Sequence, residues 1–286
     1  MAAFVGGLLR GRGFLSEVFP LTTVHTLASG SSGNALVLSC GNVRLLVDAG
    51  ISCRRIEAGL QELGLAPADL SAILITHTHT DHVSGLRTLL KRTDAPVYAA
   101  AAAGRDLVLR LPEAAGRLAA LEDRRPVRLG DVSVTAFPTA HDAPGASGFR
   151  FDTPDGGVGL LTDTGYVTEA AADILPGVAL AILEANHDVE ALRSGPYPYH
   201  LKHRILGDGG HLSNGACARF AVTLAEHGAA EIILAHLSRE NNTPAMALSA
   251  VETALSAAGL HPALSVAPRD IMGDAHVVRE AGRCRR

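Results

Sequence analysis

The 286-residue chain contains no tryptophan, and aromatic residues make up only 4% of it. Its four cysteines stand far apart, without a C-x-x-C pair. This usage argues against a disulfide framework and a cysteine zinc site, and it favours a reducing compartment, the cytoplasm. The sequence also lacks a run of about 18 uninterrupted apolar residues, so it predicts no membrane span.

A strong excess of charge is missing as well, since the formal net charge is −4 and the pI is near 6.3. This balance gives no global attraction for nucleic acid. Four short basic clusters remain, and each is interpreted as a solvated face or, alternatively, as part of a local groove. They are Arg54-Arg55, Arg124-Arg125, Lys202 to Arg204 and Arg283 to Arg286.

Hydrophobic residues make up 47% of the chain, which is enough for a large core without disulfides. Residues 1–20 contain an apolar stretch that is too short for a bilayer, and no clean cleavage site follows it. We therefore expect residues 1–20 to be a disordered N-terminal extension and not an export signal. Residues 21–286 show no repeat or linker, so they are predicted to form one domain.

Short apolar runs alternate with helix-like segments from residue 24 onward, including a predicted helix over residues 82–92. The middle of the chain alternates with period two and predicts an antiparallel meander with a turn at Pro154–Gly157. Two later helices are predicted to start near Ser213 and Thr243. The simplest architecture is two mixed β-sheets covered by helices.

The segment ITHTHTDHVSGL, residues 75–86, places two histidines, an aspartate and a further histidine directly after a buried run. In extended chain His77 and His79 face the same side, and the following turn brings Asp81 and His82 near them. Such donors suit zinc, manganese or iron. The alternative is that Asp81 caps a helix that begins near Val83. Burying so many polar groups is costly without a metal, which favours the first interpretation.

Further candidate ligands stand at the ends of other predicted strands, where separate segments can converge on one edge. Each alone could be structural. They are Asp48, His141, Asp163, His187, His211 and His236.

The ordered set resembles the five motifs of the metallo-β-lactamase superfamily over about residues 21–275. The resemblance implies an α/β fold, a four-layer αββα sandwich of two mixed sheets, with a dinuclear site for Zn, Mn or Fe. It implies one metal held by His77, His79 and His141, a second held by Asp81, His82 and His236, a bridging Asp163, and an Asp48 that orients a ligand. A hydroxide bridging two such metals would attack the substrate, so hydrolysis is the implied reaction.

The stretches LASGSSGNALVL, DTGYV, LEANHD, GHLSN and LAHLSRENN resemble the YycJ/WalJ subgroup, which is related to ribonuclease Z and regarded as 5′-to-3′ DNA exonucleases. By this resemblance Glu184 orients His211, and His211 protonates the leaving oxygen of a phosphodiester. The implied substrate is single-stranded DNA cut from its 5′ end, with RNA as a further substrate. The implied partners are DNA repair factors.

Two polar turns are predicted to contact the substrate. Ser31, Ser32 and Asn34 lie in a small turn whose backbone N–H groups can approach a phosphate, although a plain hairpin turn is the alternative. Ser213 and Asn214 precede a helix whose N-terminus suits an anion, and here an ordinary cap is the alternative. His187 is interpreted as a substrate contact or as a structural or ligand-orienting residue.

Departures from other branches narrow the prediction. The chain has Asp163 where zinc β-lactamases have a bridging cysteine. The segment between Asp163 and His236 is too short for the added domain of β-CASP nucleases. A long arm like that of tRNA-processing enzymes is not visible. The alternative function is a thioester or lactone hydrolase similar to glyoxalase II. A third reading is a metal-holding module without turnover, which would need a closed four-coordinate site.

Overall fold

The computed structural model describes residues 21–279. In this part of the chain two seven-stranded sheets pack face to face and helices cover both outer faces, which confirms the predicted αββα sandwich. The predicted extension at residues 1–20 and the basic cluster at Arg283 to Arg286 lie outside the described residues. Within residues 21–279 no helix combines the length and apolarity needed to cross a membrane.

Residues 21–279 contain fourteen strands. They are β1 (Thr23–Ala28), β2 (Ala35–Cys40), β3 (Val43–Val47), β4 (Ala72–Ile75), β5 (Val97–Ala100), β6 (Leu118–Leu121), β7 (Val127–Leu129), β8 (Val132–Pro138), β9 (Ser147–Thr153), β10 (Gly156–Leu161), β11 (Leu180–Glu184), β12 (Glu231–Ala235), β13 (Ala263–Val266) and β14 (His276–Val277).

The same part of the chain contains nine α-helices and two 3₁₀-helices, at Pro67–Asp69 and Pro112–Arg117. The α-helices are α1 (Cys53–Glu62), α2 (Thr80–Val83), α3 (Leu86–Leu89), α4 (Ala101–Arg110), α5 (Glu169–Ile174), α6 (Val189–Ser194), α7 (Tyr199–Leu206), α8 (Asn214–Glu226) and α9 (Pro244–Ala257).

Each sheet combines a parallel and an antiparallel part. The first sheet has the order β14-β1-β2-β3-β4-β5-β6, and β3 to β6 run parallel. The second has the order β13-β12-β11-β10-β9-β8-β7, and β10 to β13 run parallel. The parallel strands β4 and β11 are buried along their whole length, as their continuous apolar runs AILI and LAIL require.

The central core lies between the two sheets. Leu38, Leu45 and Leu74 of the first sheet pack in one cluster with Phe149 and Phe151 of the second, and all five are buried. Side chains from two inner faces interlock in this way in β-sandwiches. Two further clusters join each sheet to its outer helices. The core thereby fixes both sheets, and with them the strand ends that carry the polar candidates.

Most local predictions agree with the structure, and two are wrong. Ser213 and Thr243 cap α8 and α9 with their side chains, as predicted. The predicted helix over residues 82–92 is wrong, because the segment forms the two short helices α2 and α3 with Gly85 between them. The helix cap suggested for Asp81 is also wrong, since α2 begins at Thr80 and His79 is at its N-cap position.

Candidate active site

The candidate residues meet at one edge of the sandwich, where parallel strands of both sheets end. Asp48 directly follows β3, and Thr76 and His77 follow β4. From the other sheet, Glu184 is the last residue of β11 and His236 directly follows β12. The carboxyl ends of parallel strands are where open α/β sheets bind ligands, so the topology itself brings these distant segments together.

Three of these strand-end residues have a strained backbone. Asp48 has a φ of 60°, Asp163 of 55° and His236 of 56°. Non-glycine residues seldom adopt positive φ, and each such conformation costs free energy that surrounding contacts must offset. Residues held in this way cluster at functional sites. These conformations place the side chains of all three residues at the edge where the strands end.

A first group of possible metal ligands is formed by three histidines. His79 Nδ1 lies 3.2 Å from His141 Nε2, and the His77 ring lies 4.7 Å and 4.9 Å from the rings of His79 and His141. His141 donates its other nitrogen, Nδ1, to the carbonyl of Gly210 at 3.1 Å. This bond orients the ring and directs Nε2 to the group.

A second group consists of Asp81, His82 and His236. The Asp81 Oδ2 atom lies 3.6 Å from His82 Nε2 and 3.7 Å from His236 Nε2. Asp163 stands between the two groups, with carboxylate oxygens 3.4 Å from His82 Nε2 and 3.9 Å from His141 Nε2. This placement allows the Asp163 carboxylate to reach both groups.

The donor set fits divalent metal ions. In each group the nitrogen and oxygen donors lie within 4.8 Å of one another. His77 Nε2, His236 Nε2 and Asp163 Oδ2 are buried atoms without a hydrogen-bond partner. Such atoms are costly unless something else satisfies them, and imidazole with carboxylate is a common donor set for zinc, manganese and iron. The protein therefore has clusters able to bind metal ions.

Asp48 forms hydrogen bonds that hold Thr76 and His82 at this edge. One carboxylate oxygen accepts from the backbone N–H of Thr76 at 2.9 Å, and the other accepts from the Thr76 hydroxyl at 2.9 Å and from His82 Nδ1 at 2.8 Å. These bonds fix the His82 ring so that Nε2 faces the second group. The role of Thr76 was not predicted from the sequence, although it stands next to the histidine motif.

Glu184 connects two histidines through a single carboxylate. Its Oε1 accepts from Nδ1 of His211 at 2.8 Å and from Nδ1 of His236 at 2.9 Å. Its Oε2 accepts from the backbone N–H groups of Thr164 and Leu212 at 3.0 Å and 3.1 Å. The bond to His236 was not predicted. It means that Glu184 orients a possible metal ligand as well as His211.

The electrostatics follow from burial and charge. Burial opposes a positive charge on His82, but Asp163 and Asp48 outweigh it and raise the pKa of His82 to about 9. Burial and the neighbouring histidines hold the pKa of His77 well below its ordinary value. Burial alone would raise the pKa of Glu184, yet His211 and His236 keep it below its usual range. Glu184 is therefore an anion that accepts from both rings.

Comparison with known proteins identifies the family. The model of the β-lactamase superfamily domain matches residues 43–237, which include both ligand groups and Glu184. The chain belongs to the β-lactamase superfamily. Exodeoxyribonuclease WalJ of Streptococcus pneumoniae serotype 2 (strain D39) is 38% identical over 242 residues, which cover 82% of this chain and 88% of WalJ. Exodeoxyribonuclease YycJ of Bacillus anthracis is 37% identical over 236 residues, with 82% and 89% coverage.

Solved structures support the fold. The metallo-β-lactamase fold protein YhfI from Bacillus subtilis superposes with a TM-score of 0.66 at 18% identity, covering 89% of this chain and 99% of YhfI. This likeness concerns the architecture alone. The metallo-β-lactamase fold expected from the sequence is thus confirmed.

In this β-lactamase superfamily member most polar side chains in the turn of residues 29–34 form hydrogen bonds within the protein. Ser29 Oγ accepts from the backbone N–H of His236 at 2.9 Å, and the Asn34 amide bonds Gly30 and lies 3.0 Å from His82 Nε2. The exposed Ser32 donates to Asp270 at 3.3 Å. Of the predicted substrate contacts in this turn, Ser31 lines the cleft described below.

Gly50 brings this turn against the histidine motif. A Cβ atom at Gly50 would lie 1.6 Å from the carbonyl oxygen of Asp81 and 2.7 Å from the nitrogen of Asn34. Asn34 in turn donates its N–H to that same Asp81 carbonyl at 2.8 Å. Only glycine permits this approach, so the loop after β3 clamps the backbone that carries Asp81.

In the second polar turn, Ser213 and Asn214 both form hydrogen bonds within the protein. Ser213 caps α8, with its hydroxyl accepting from the backbone N–H of Ala216 at 3.3 Å, so the cap that was the alternative is present. Asn214 is 3% exposed, and its amide exchanges two hydrogen bonds with Asn242 at 3.0 Å and 2.8 Å. Its side chain is occupied inside the protein, which argues against the predicted substrate contact and favours a structural part.

His187 lies in the interior near these residues. It is 1% exposed, and neither ring nitrogen has a hydrogen-bond partner. Burial lowers the pKa of His187 to about 4, and His211 adds to that effect while Glu184 opposes it. The imidazole is therefore neutral at physiological pH. This burial favours the structural or orienting interpretation over direct contact with substrate.

A cleft of about 190 Å³ opens beside the two ligand groups. His141 and His211 line it, and so do Leu201 and Arg204 of α7 and Tyr197, two residues before that helix. The sequence cluster Lys202 to Arg204 is thus not only a solvated face, because Arg204 faces a cleft that leads to the candidate site.

Proposed function

We propose that the protein is a metal-dependent phosphodiesterase that removes nucleotides from the 5′ end of single-stranded DNA, with RNA as a further substrate. Two relatives that match most of the chain are named exodeoxyribonucleases, which supports a nuclease of this superfamily. The polarity and the preference for single strands rest on the resemblance to the YycJ/WalJ subgroup and belong to the proposal.

The observation that carries the proposal is the position of His211. Its Nδ1 donates to the buried Glu184 carboxylate, and its side chain is 22% exposed and lines the cleft. Because the two ring nitrogens lie on different sides of the imidazole, Nε2 points away from Glu184 and toward the cleft. A phosphodiester expels an alkoxide, which needs a proton, and a positioned histidine can supply it.

The metal ligands of the proposal are the two groups described above. His77, His79 and His141 would hold one divalent ion, Asp81, His82 and His236 the other, and Asp163 would bridge them. Zn, Mn and Fe all suit these donors. When bound, such ions supply an acidified water molecule and polarise the phosphate.

The chain's own residues supply orientation and proton transfer. Asp48 holds the His82 ring, and Glu184 holds the rings of His211 and His236. The Glu184 carboxylate accepts the Nδ1–H of His211, which leaves Nε2 as the nitrogen for proton transfer to the leaving 3′ oxygen. Asp81 completes the ligand set that the hydrolysis requires. Thioesters and lactones have less need of such a proton donor, and the named relatives give the glyoxalase II-like alternative no support.

Location and partners are part of the same proposal. Cys40, Cys53 and Cys217 are buried and unpaired, which fits the reducing cytoplasm. DNA repair factors are proposed as partners on the basis of the subgroup resemblance.

The proposal is tested by incubating the purified protein with single-stranded DNA labelled at its 3′ end, beside the same DNA labelled at its 5′ end and a generic thioester. We expect stepwise shortening of the 3′-labelled strand and early release of the 5′ label as a mononucleotide. Asp81→Asn serves as the inactive variant, and Asp152→Asn, an exposed aspartate on β9, as its control. Intact DNA together with thioester turnover would refute the proposal.

A further inference from the structure

The cleft beside His211 has two kinds of surface. Tyr197 and Leu201 contribute apolar side chains, whereas Arg204 contributes a cation. A nucleotide has the matching pair of features, because its base offers a flat apolar face and its phosphate is an anion. The cleft of about 190 Å³ is also local and bounded, unlike a groove that follows a long strand.

Arg204 is held at this place by Asp142. Its Nε donates to Asp142 Oδ2 at 2.6 Å, with the two side chains 57% and 37% exposed. A pair this exposed contributes little to the free energy of unfolding, so stability does not explain the position of the arginine. Asp142 uses Nε, while the guanidinium has five N–H donors. The Nη groups remain available to a phosphate.

Asp142 also ties Arg204 to the ligand groups. Its Oδ1 lies 3.6 Å from His79 Nε2 and 3.7 Å from His141 Nε2. The backbone N–H of Asp142 donates to the carbonyl of Gly209 at 3.1 Å, next to the turn that leads into His211. The Asp142 carboxylate thus connects Arg204 to the candidate metal ligands His79 and His141.

The position of His211 indicates which nucleotide of the substrate the cleft binds. A residue that protonates the leaving oxygen must contact the nucleotide that carries this oxygen. His211 and Arg204 line the same cleft. The nucleotide in the cleft is therefore the one that leaves, which for cutting from the 5′ end is the terminal nucleotide.

We propose that this cleft binds the released nucleotide, with its phosphate against Arg204 and its base against Tyr197. The inference rests on the proposed function, because His211 defines the leaving side only in phosphodiester cleavage. Tyr197 and Arg204 are binding residues in this account. Stacking on a tyrosine is tolerant of sequence, so the pocket accepts any of the four bases.

The test titrates the purified protein, metals bound, with deoxyadenosine 5′-monophosphate and separately with deoxyadenosine in a calorimeter. Arg204→Ala is expected to weaken binding of the monophosphate about 10-fold to 100-fold, as for a lost charge-assisted hydrogen bond, and to leave deoxyadenosine unchanged. Tyr197→Ala is expected to weaken both ligands about 10-fold.

Two matched variants control for charge and for aromatic area. Arg87 is a similarly exposed arginine that is paired with Glu113 and does not line the cleft, so Arg87→Ala should bind both ligands like the wild type. Tyr199 is 81% exposed and does not line the cleft, so Tyr199→Ala should do the same. Equal monophosphate binding by the Arg204→Ala and Arg87→Ala variants, or no measurable binding by the wild type, overturns the inference.

A failure here is distinguishable from failure of the proposed function. If the wild type shortens DNA but its mononucleotide binding does not depend on Arg204, the pocket is wrong and the nuclease stands. If the wild type does not cleave DNA at all, the proposed function is wrong.

Discussion

Glu184 Oε1 accepts a hydrogen bond from Nδ1 of His236 at 2.9 Å, and both side chains are almost completely buried. The same oxygen accepts from His211, which faces the cleft. One carboxylate therefore connects the ring of a candidate metal ligand to the ring that lines the cleft. A shift of this carboxylate would therefore change the orientation of both rings.

Glu184→Gln is expected to weaken metal retention about 10-fold to 100-fold and to reduce DNA cleavage at least as much. The amide is neutral, and its NH₂ group must face either two imidazole N–H donors or two backbone N–H donors. Metal content after dialysis and the rate of DNA cleavage measure the two effects. Glu190→Gln, at an exposed glutamate on α6, is the control. Unchanged metal content in Glu184→Gln would contradict the role of this residue as an anchor.

Gly50→Ala is expected to destabilise the protein by more than about 3 kcal/mol, because the added Cβ meets backbone atoms that cannot move aside. The clash with the Asp81 carbonyl should also displace the histidine motif. Thermal unfolding measures the loss. At Gly116 a Cβ has no neighbour within 4 Å, so Gly116→Ala should unfold near the wild-type temperature. Equal unfolding temperatures for the two variants would contradict the close approach of Gly50 to the Asp81 carbonyl.

The metal-free protein is expected to lose stability as the pH rises from 6.5 to 9. The pKa of His82 is raised from 6.5 to about 9 in the folded state, so the stabilising proton is fully bound below 6.5 and is lost as the pH passes 9. Burial alone would lower the pKa of His236, but Asp163, Asp81 and Glu184 outweigh burial and raise this pKa well above its ordinary value. His236 therefore contributes in the same direction as His82.

The expected loss is on the order of 3 kcal/mol for His82 alone. Urea unfolding of the chelated protein at pH 6.5 and pH 9 measures it. The metal-loaded protein is the control and should change less over this range, since its ligand nitrogens are then not protonated. A chelated protein that is more stable at pH 9 would contradict the charge pairing described for His82.

Asn214→Ala is expected to lower stability by about 1–3 kcal/mol and to leave the KM for DNA unchanged. The variant removes both hydrogen bonds between Asn214 and Asn242, while the buried Asn242 amide keeps its bonds to Ala185 and Thr243. Losing bonds of a buried polar group costs free energy of unfolding. Thermal unfolding and steady-state kinetics separate the two effects. A raised KM at normal stability would restore the substrate contact predicted from the sequence.

The sequence was sufficient to predict the sandwich, through the family resemblance, and to single out the segments that carry the candidate ligands. Period-two alternation and continuous apolar runs indicated the strands, and the spacing of His77, His79, Asp81 and His82 indicated a common target. These features are local, so each can be recognised within a single segment of the sequence. Residues at the ends of strands were then placed together by topology alone.

The contacts between segments could not be predicted in the same way. Glu184 and His236 are far apart in sequence, and the bond between them depends on the register of β11 against β12. The same holds for Asp142 and Arg204, which neither period nor motif connects. Asn214 followed a turn that suits an anion, but its pairing with Asn242 depends on tertiary packing.

The most direct test of the central claim compares His211→Ala with the wild type on two substrates. One is single-stranded DNA, whose leaving alkoxide needs a proton, and the other is the p-nitrophenyl ester of thymidine 5′-monophosphate, whose leaving group does not. We expect normal metal content, DNA cleavage reduced about 100-fold to 10,000-fold, and ester cleavage reduced far less. Equal losses on both substrates, or a loss of metal from His211→Ala, would contradict the assignment of His211 as the proton donor.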